Sequence, residues 1–131
     1  MATDNTGYPF FTMLAAGDLS AHAGKIMTKN TVADQIALSG GQDEVIAGVL
    51  QNKPAASGRA ATVQVAGIAK VKAGGTVTAG DVVAPDAAGL AITFVPTAAS
   101  VEWILGICMV GGGNGEVIEV LILIQTVSTE T

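Results

Sequence analysis

Three side chains that could together perform nucleophilic catalysis lie close in the chain: Asp18, Ser20 and His22. Acyl transfer needs a nucleophile, a base to take its proton and a group that orients the base. Strand-like alternation would put all three on one side. Each is also a common loop residue, and the small-residue stretch around them shows neither a strained elbow nor an oxyanion hole. The expectation is a surface or capped loop with no catalytic role. Metal binding has as little to work with. The chain holds one histidine, His22, and one cysteine, Cys108, which excludes a cysteine-based zinc cluster and an internal disulfide framework. Asp34, Asp43 and Glu44 lack the 1-3-5 oxygen spacing and central glycine of a calcium loop. Glu116 and Glu119 fall on opposite faces of a strand, so they cannot act as a close carboxylate pair. Cys108 reads as a small buried hydrophobe rather than a reactive thiol. The run Gly111-Gly112-Gly113-Asn114-Gly115 has the composition of a phosphate cradle. Such a cradle opens a helix and carries Gly-Lys-Ser/Thr, whereas here a strand follows, so the run reads as a hairpin connection. No catalytic, cofactor-binding or metal-ligating residue is expected, and no enzymatic activity.

The elements that would position any site are strands. The chain has 131 residues, enough for one domain with its own core. Half of them are hydrophobic, yet only 4% are aromatic and 13% charged, about half the usual charged fraction. The net charge of -5 argues against a nucleic-acid footprint. The longest apolar run, Val120 to Ile124, is far short of a membrane span. Asp4 and the lack of a base before Lys25 argue against a signal peptide. Periodicity is two rather than 3.6. Thr62 to Ala66 alternates, Gly67 breaks the run, and Ile68 to Lys72 alternates again. Turn signals follow at Ala73-Gly74-Gly75, Ala79-Gly80-Asp81 and Pro85 to Gly89, with strands expected at Leu90–Val95, Val101–Val110 and Glu116–Ile124. Val32 to Leu38 suits either a helical turn or a short strand. Many short strands with turns every 8–12 residues predict an all-β fold, a small antiparallel β-barrel or sandwich.

Residues 1–24 differ from the rest. Tyr8-Pro9-Phe10-Phe11-Thr12-Met13-Leu14 holds the only tyrosine and two of the three phenylalanines, and Pro9 restricts Tyr8 to extended geometry. This stretch is read as an extended N-terminal arm outside the central sheet, with residues 25–131 as the β-rich domain. Tyr8, Phe10, Phe11, Met13 and Leu14 are its candidate partner-binding anchors. Two later segments are too apolar for a lone unit. From Val120 onward both faces of the last strand are apolar, and Val101 to Val110 behaves similarly. A strand in a small antiparallel domain usually buries one face and wets the other. Leaving both strands wet would be costly at about 25 cal/mol per Å², so association with further copies or a partner is expected. Charge is also segregated. Residues 25–72 hold all six bases against three acids, a net of +3, while residues 73–131 hold six acids and no base. Such segregation suits electrostatic matching between subunits or with a partner surface.

From Val65-Ala66-Gly67-Ile68-Ala69-Lys70-Val71, through Ala73-Gly74-Gly75-Thr76-Val77-Thr78-Ala79-Gly80-Asp81-Val82-Val83, to Asp86-Ala87-Ala88-Gly89, the chain resembles the small capsid decoration, or cement, proteins of tailed phages. Ile104-Leu105-Gly106-Ile107 and Gly115-Glu116-Val117-Ile118-Glu119-Val120-Leu121 are similar to later strands of that family, so the resemblance covers roughly residues 44–124. The N-terminal segment has no counterpart in it. The resemblance implies a non-catalytic β-rich subunit without cofactor, bound to the major capsid protein lattice on the outer surface of the virion. It also implies a homo-oligomer, more often a trimer than a dimer. Two further readings stand beside it. One is another oligomeric phage structural module. The other is a biotinyl- or lipoyl-like carrier domain, whose valine and glycine rhythm Val71 to Val83 echoes. A carrier needs an exposed hairpin lysine, and no lysine follows Lys72.

Overall fold

The computed structural model describes residues 10–96 and 101–127. Ten strands account for its regular structure, with no helix among the described residues: β1 (Phe10–Ala15), β2 (Ile26–Lys29), β3 (Gln35–Leu38), β4 (Ile46–Leu50), β5 (Ala60–Gln64), β6 (Ile68–Lys72), β7 (Val82–Pro85), β8 (Ala91–Thr93), β9 (Glu102–Val110) and β10 (Val117–Val127). The first five close into a barrel in the order β1-β3-β2-β4-β5, and the rest form an open antiparallel sheet in the order β6-β10-β9-β7-β8. The fold is thus all-β, as the two-residue periodicity predicts. The ambiguous Val32–Leu38 stretch resolves as strand β3.

The barrel is closed by the segment expected to be an arm. Phe10 to Leu14 pair antiparallel with Gln64 back to Ala60, and Leu14 and Ala15 pair parallel with Gln35 and Ile36. Residues 10–15 are therefore a structural strand. The residues before Phe10, Tyr8 included, lie outside the described ones. Met27, Ile36, Leu50, Ala61 and Val63 fill the barrel, with Met13 resting partly against them.

A second core joins the barrel to the sheet. Ile26 from β2 and Ile46 and Val49 from β4 pack with Val71, Val77, Val83, Leu105, Cys108, Ile118, Val120 and Ile122. Val71, Val77 and Val83, the repeating valines of the carrier-like rhythm, are all buried there. Their regular spacing is explained by three segments each sending one valine inward. Backbone bonds staple the two parts together. Ile26 N donates to Gly89 O at 2.8 Å, Lys72 N to Gly24 O at 2.8 Å and Trp103 N to Gln42 O at 2.6 Å. Gly89 has φ +76°, and a Cβ there would sit 2.5 Å from Leu38 Cδ1 and 3.1 Å from Ile26 O. The Asp86–Gly89 turn thus needs glycine twice, for its backbone angle and for the barrel wall pressed against it.

Candidate functional site

The Asp18, Ser20 and His22 set forms a turn with no catalytic geometry. Asp18 Oδ1 accepts from Ser20 N at 2.9 Å and from Ser20 Oγ at 2.6 Å. The hydroxyl thus donates to the carboxylate and not to the imidazole. His22 Nδ1 lies 3.0 Å from Lys25 Nζ. The Ser20 hydroxyl and amide hold the Asp18 carboxyl below its ordinary range. Partial burial, then the charge of Lys25, push His22 down as well. Ser20 Oγ is bonded to Asp18 rather than to His22, so the three residues do not form a nucleophile–base–orienter chain.

The other polar motifs also close turns. Asp81 Oδ2 accepts from Thr78 N and Thr93 Oγ1, each at 3.0 Å. Asp86 Oδ1 accepts from Ala88 N at 2.8 Å and Leu90 N at 3.0 Å. Glu116 Oε1 accepts from Gly113 N at 2.6 Å, inside the hairpin that joins β9 to β10. Glu44 Oε1 accepts from Gly40 N at 2.8 Å. Cys108 is buried in the shared core, and desolvation pushes its thiol up, away from the reactive thiolate. Among the described residues no three His, Cys, Asp or Glu side chains gather as metal ligands, and no pocket opens. Lys72 lies in strand β6, not at a hairpin tip.

What remains is apolar surface, and beside separate exposed valines such as Val32, Val45, Val95 and Val101 it gathers in two places. On β1, Phe10, Phe11 and Leu14 are 40%, 55% and 42% exposed. Alternation puts Phe10, Thr12 and Leu14 on the outer wall of the barrel. Phe11, Met13 and Ala15 share the other face, exposed at Phe11 and fully buried by Ala15. Of the five anchors expected from sequence, three described ones are free to meet a partner. Met13 is partly engaged by the core, and Tyr8 lies outside the described residues.

The second surface is the outer face of the open sheet. Strand register aligns Ile68, Leu121, Ile107 and Val82 in one row across β6, β10, β9 and β7. Directly opposite residues of antiparallel neighbours share a face. All four are exposed or half-buried, and exposed Met109 and Leu123 lie on the same two central strands. The residues alternating with the row, Ala69, Val120 and Cys108, are in the core. The last strand is thus apolar on both faces, as its sequence indicates, with one face covered. Ile68 and Val82 were missed by sequence reasoning, since each is an ordinary strand residue until register brings it into line. Strict alternation would set Leu105 with Ile107 and opposite Cys108. At the irregularity between Ile104 and Gly106 that pattern breaks, and Leu105 and Cys108 are in the core together while Ile107 faces outward.

The two surfaces face apart. In the barrel ring β1 lies across from the β2–β4 pair, and it is Ile26, Ile46 and Val49 of that pair that pack on the sheet's inner face.

No family model matches the chain, and no curated protein matches it. Among solved structures, the fold is similar to the N base of the head fiber gp8.5 of bacteriophage phi29. The TM-score is 0.61 and the sequence identity 20%, over 87% of this chain and 92% of that one. The likeness covers both the barrel and the open sheet.

Proposed function

We propose that this chain is a non-enzymatic structural protein of a tailed-phage head, seated on the outer surface of the assembled shell as a decoration or cement subunit. The observation that carries the reading is the shared fold with a phage head-fiber base over nearly the whole of both chains. It meets the motif resemblance at the coarser level of a phage head-associated protein. The partner is the major capsid protein lattice, and the chain meets it as a homo-oligomer. Attachment runs through strand β1, with Phe10 and Leu14 on the outer wall and Phe11 exposed on the strand's other face as apolar anchors, and Tyr8 just before them in the chain. The mechanism is thermodynamic. A subunit that binds the assembled lattice better than separated capsomers stabilises the shell by its binding free energy, and many copies on a symmetric lattice multiply the effect.

The test is co-sedimentation with emptied, expanded shells, together with thermal disruption of the decorated particles. Saturable occupancy and a raised disruption temperature are expected. The double variant Phe11→Ser/Leu14→Ser should bind at least about tenfold more weakly, since exposed apolar anchors at interfaces contribute about 1–2 kcal/mol each. Unchanged occupancy would remove β1 from the contact. The head-fiber likeness favours a second reading, a fiber base that docks without strengthening the shell. Full occupancy with an unchanged disruption temperature would select it.

A further inference from the structure

We propose that Asn114–Gly115 is a site of spontaneous backbone modification, deamidation through a cyclic imide, and that the hydrogen bond from Gly115 N to Ala73 O sets its rate in the folded chain. The inference stands apart from the proposed function and needs no shell.

The chemistry is intramolecular. The Gly115 backbone nitrogen attacks Asn114 Cγ and forms an N–Cγ bond. The Cγ–Nδ2 bond breaks, and Nδ2 leaves as ammonia with the proton that the Gly115 nitrogen gives up. Water then adds at either carbonyl of the imide. One opening gives aspartate, the other its isomer in which the main chain runs through Cγ. Nothing is oxidised or reduced, and water is the only co-reactant. Glycine suits the step, because it brings no side chain against the forming ring and its backbone turns most freely.

Sequence and structure single out one asparagine of four. Asn5, Asn30 and Asn52 precede Thr6, Thr31 and Lys53, and Asn114 alone precedes glycine. Asn30 has both ends of its amide engaged: Nδ2 donates to Gln35 Oε1 at 2.6 Å, and Oδ1 accepts from Val32 N at 3.0 Å. Asn52 is held likewise, with Oδ1 accepting from Thr62 N at 2.9 Å and Nδ2 donating to Ala60 O at 3.0 Å. Asn114 instead lies exposed in the β9–β10 hairpin beside an exposed Gly115. A Cβ on Gly115 would meet open space, so the ring has room to form.

What the fold restrains is the attacking nitrogen. Gly115 N donates to Ala73 O at 2.8 Å, and Ala73 N donates to Glu116 O at 2.8 Å. Attack requires the Gly115 nitrogen to lose its proton and turn onto Cγ, and the Ala73 carbonyl holds both the proton and the position. Two more bonds tighten the loop: Glu116 N donates to Gly113 O at 3.0 Å, and Glu116 Oε1 accepts from Gly113 N at 2.6 Å. The reaction therefore runs through a hairpin that has opened locally, a sparsely populated state for paired backbone.

The test is incubation of the purified full chain in mildly alkaline buffer, read by peptide mass mapping and by isoaspartyl methyltransferase labelling. In urea-unfolded chain, Asn114 should convert first among the asparagines. In folded chain the same conversion should be at least about tenfold slower. Glu116→Ala, at an exposed position, removes the bond to Gly113 N and should speed conversion of the folded chain about threefold or more, in step with faster exchange of the Gly115 amide proton. If that variant fails to fold, wild type in urea below its unfolding transition takes its place, with the same expected link between conversion and exchange. Asn114→Ser should abolish the labelling. Equal rates in folded and unfolded chain, earlier conversion at Asn30 or Asn52, or a rate indifferent to Gly115 exchange would overturn the proposal.

Discussion

The barrel and the open sheet are built from the same kind of strand, and they treat their edges differently. The barrel closes on itself, which abolishes free edges, and its apolar side chains turn toward a common interior filled by Met27, Ile36, Leu50 and Val63. The open sheet has two ends and two faces. The barrel covers one face, through Ile26, Ile46 and Val49, and the other keeps an apolar row in contact with water. Similar strand composition leaves no free edge in one case and two in the other. Closure settles the edges, while the exposed Phe10, Phe11 and Leu14 show that a closed barrel can still keep apolar surface for a partner.

Three substitutions sharpen or break this comparison. The largest effect belongs to Gly106, in the centre of the open sheet. A Cβ there would lie 1.9 Å from Leu121 O and 2.8 Å from Leu123 N, both backbone atoms of the neighbouring strand. Gly106→Ala should force β9 and β10 apart and cost about 4 kcal/mol or more, a large share of the stability of such a domain. Soluble expression and a urea midpoint read the result. A near-native midpoint would mean that the central pair is not the sheet's organising contact.

Next comes the joint between the regions. Gln42, on the barrel loop between β3 and β4, donates Nε2 to Glu102 Oε2 at 2.6 Å and also to Val95 O. Glu102 is fully buried at the start of β9. Gln42→Ala removes a hydrogen bond to a buried carboxyl group and should cost about 2 kcal/mol. Because Ile26, Ile46 and Val49 tie barrel and sheet into one core, the loss should lower a single transition. Trp103, the chain's one tryptophan, and the far-ultraviolet signal should report the same midpoint. Two separated transitions would show that the barrel and the sheet unfold independently.

The smallest effect is at His22, on the barrel's β1–β2 loop. Its folded pKa lies below the ordinary 6.5, through burial and then Lys25. The unfolded chain therefore binds its proton more readily, so this contribution is intact above about pH 6.5 and fades as pH falls below it. Wild type should lose slightly more stability than His22→Gln between pH 7.5 and 5.5, a range in which Asp18 stays ionised. Equal losses would show that the ring is not disfavoured in its charged form.

The contrast between the regions also marks what could be read from the residues alone. The alternation of β5, β6 and β10, the turn at Asp86–Gly89 and the spacing of Val71, Val77 and Val83 all act locally, and local pattern predicts them. The role of β1 does not. Phe10, Phe11, Met13 and Leu14 put apolar groups on both faces of a short segment. That segment becomes a barrel strand only through pairing with β5, some fifty residues later. The β9 bulges and the four-strand row likewise depend on register between distant segments. At the candidate site, sequence pointed to the exposed side chains Phe10, Phe11 and Leu14 and to the excess of apolar strand. The surface assembled from Ile68, Leu121, Ile107 and Val82 needed the fold.

Strand order carries a consequence for how the chain is made. Every barrel strand lies before residue 65, so the barrel can close while the remainder is still being synthesised. Strand β6, by contrast, finds its neighbour only when β10 emerges from the ribosome. During that interval it is an unpaired ribbon beside a completed wall. Lys70 and Lys72 are the residues suited to guard it, since charge on a waiting strand discourages premature pairing with the nascent chains around it.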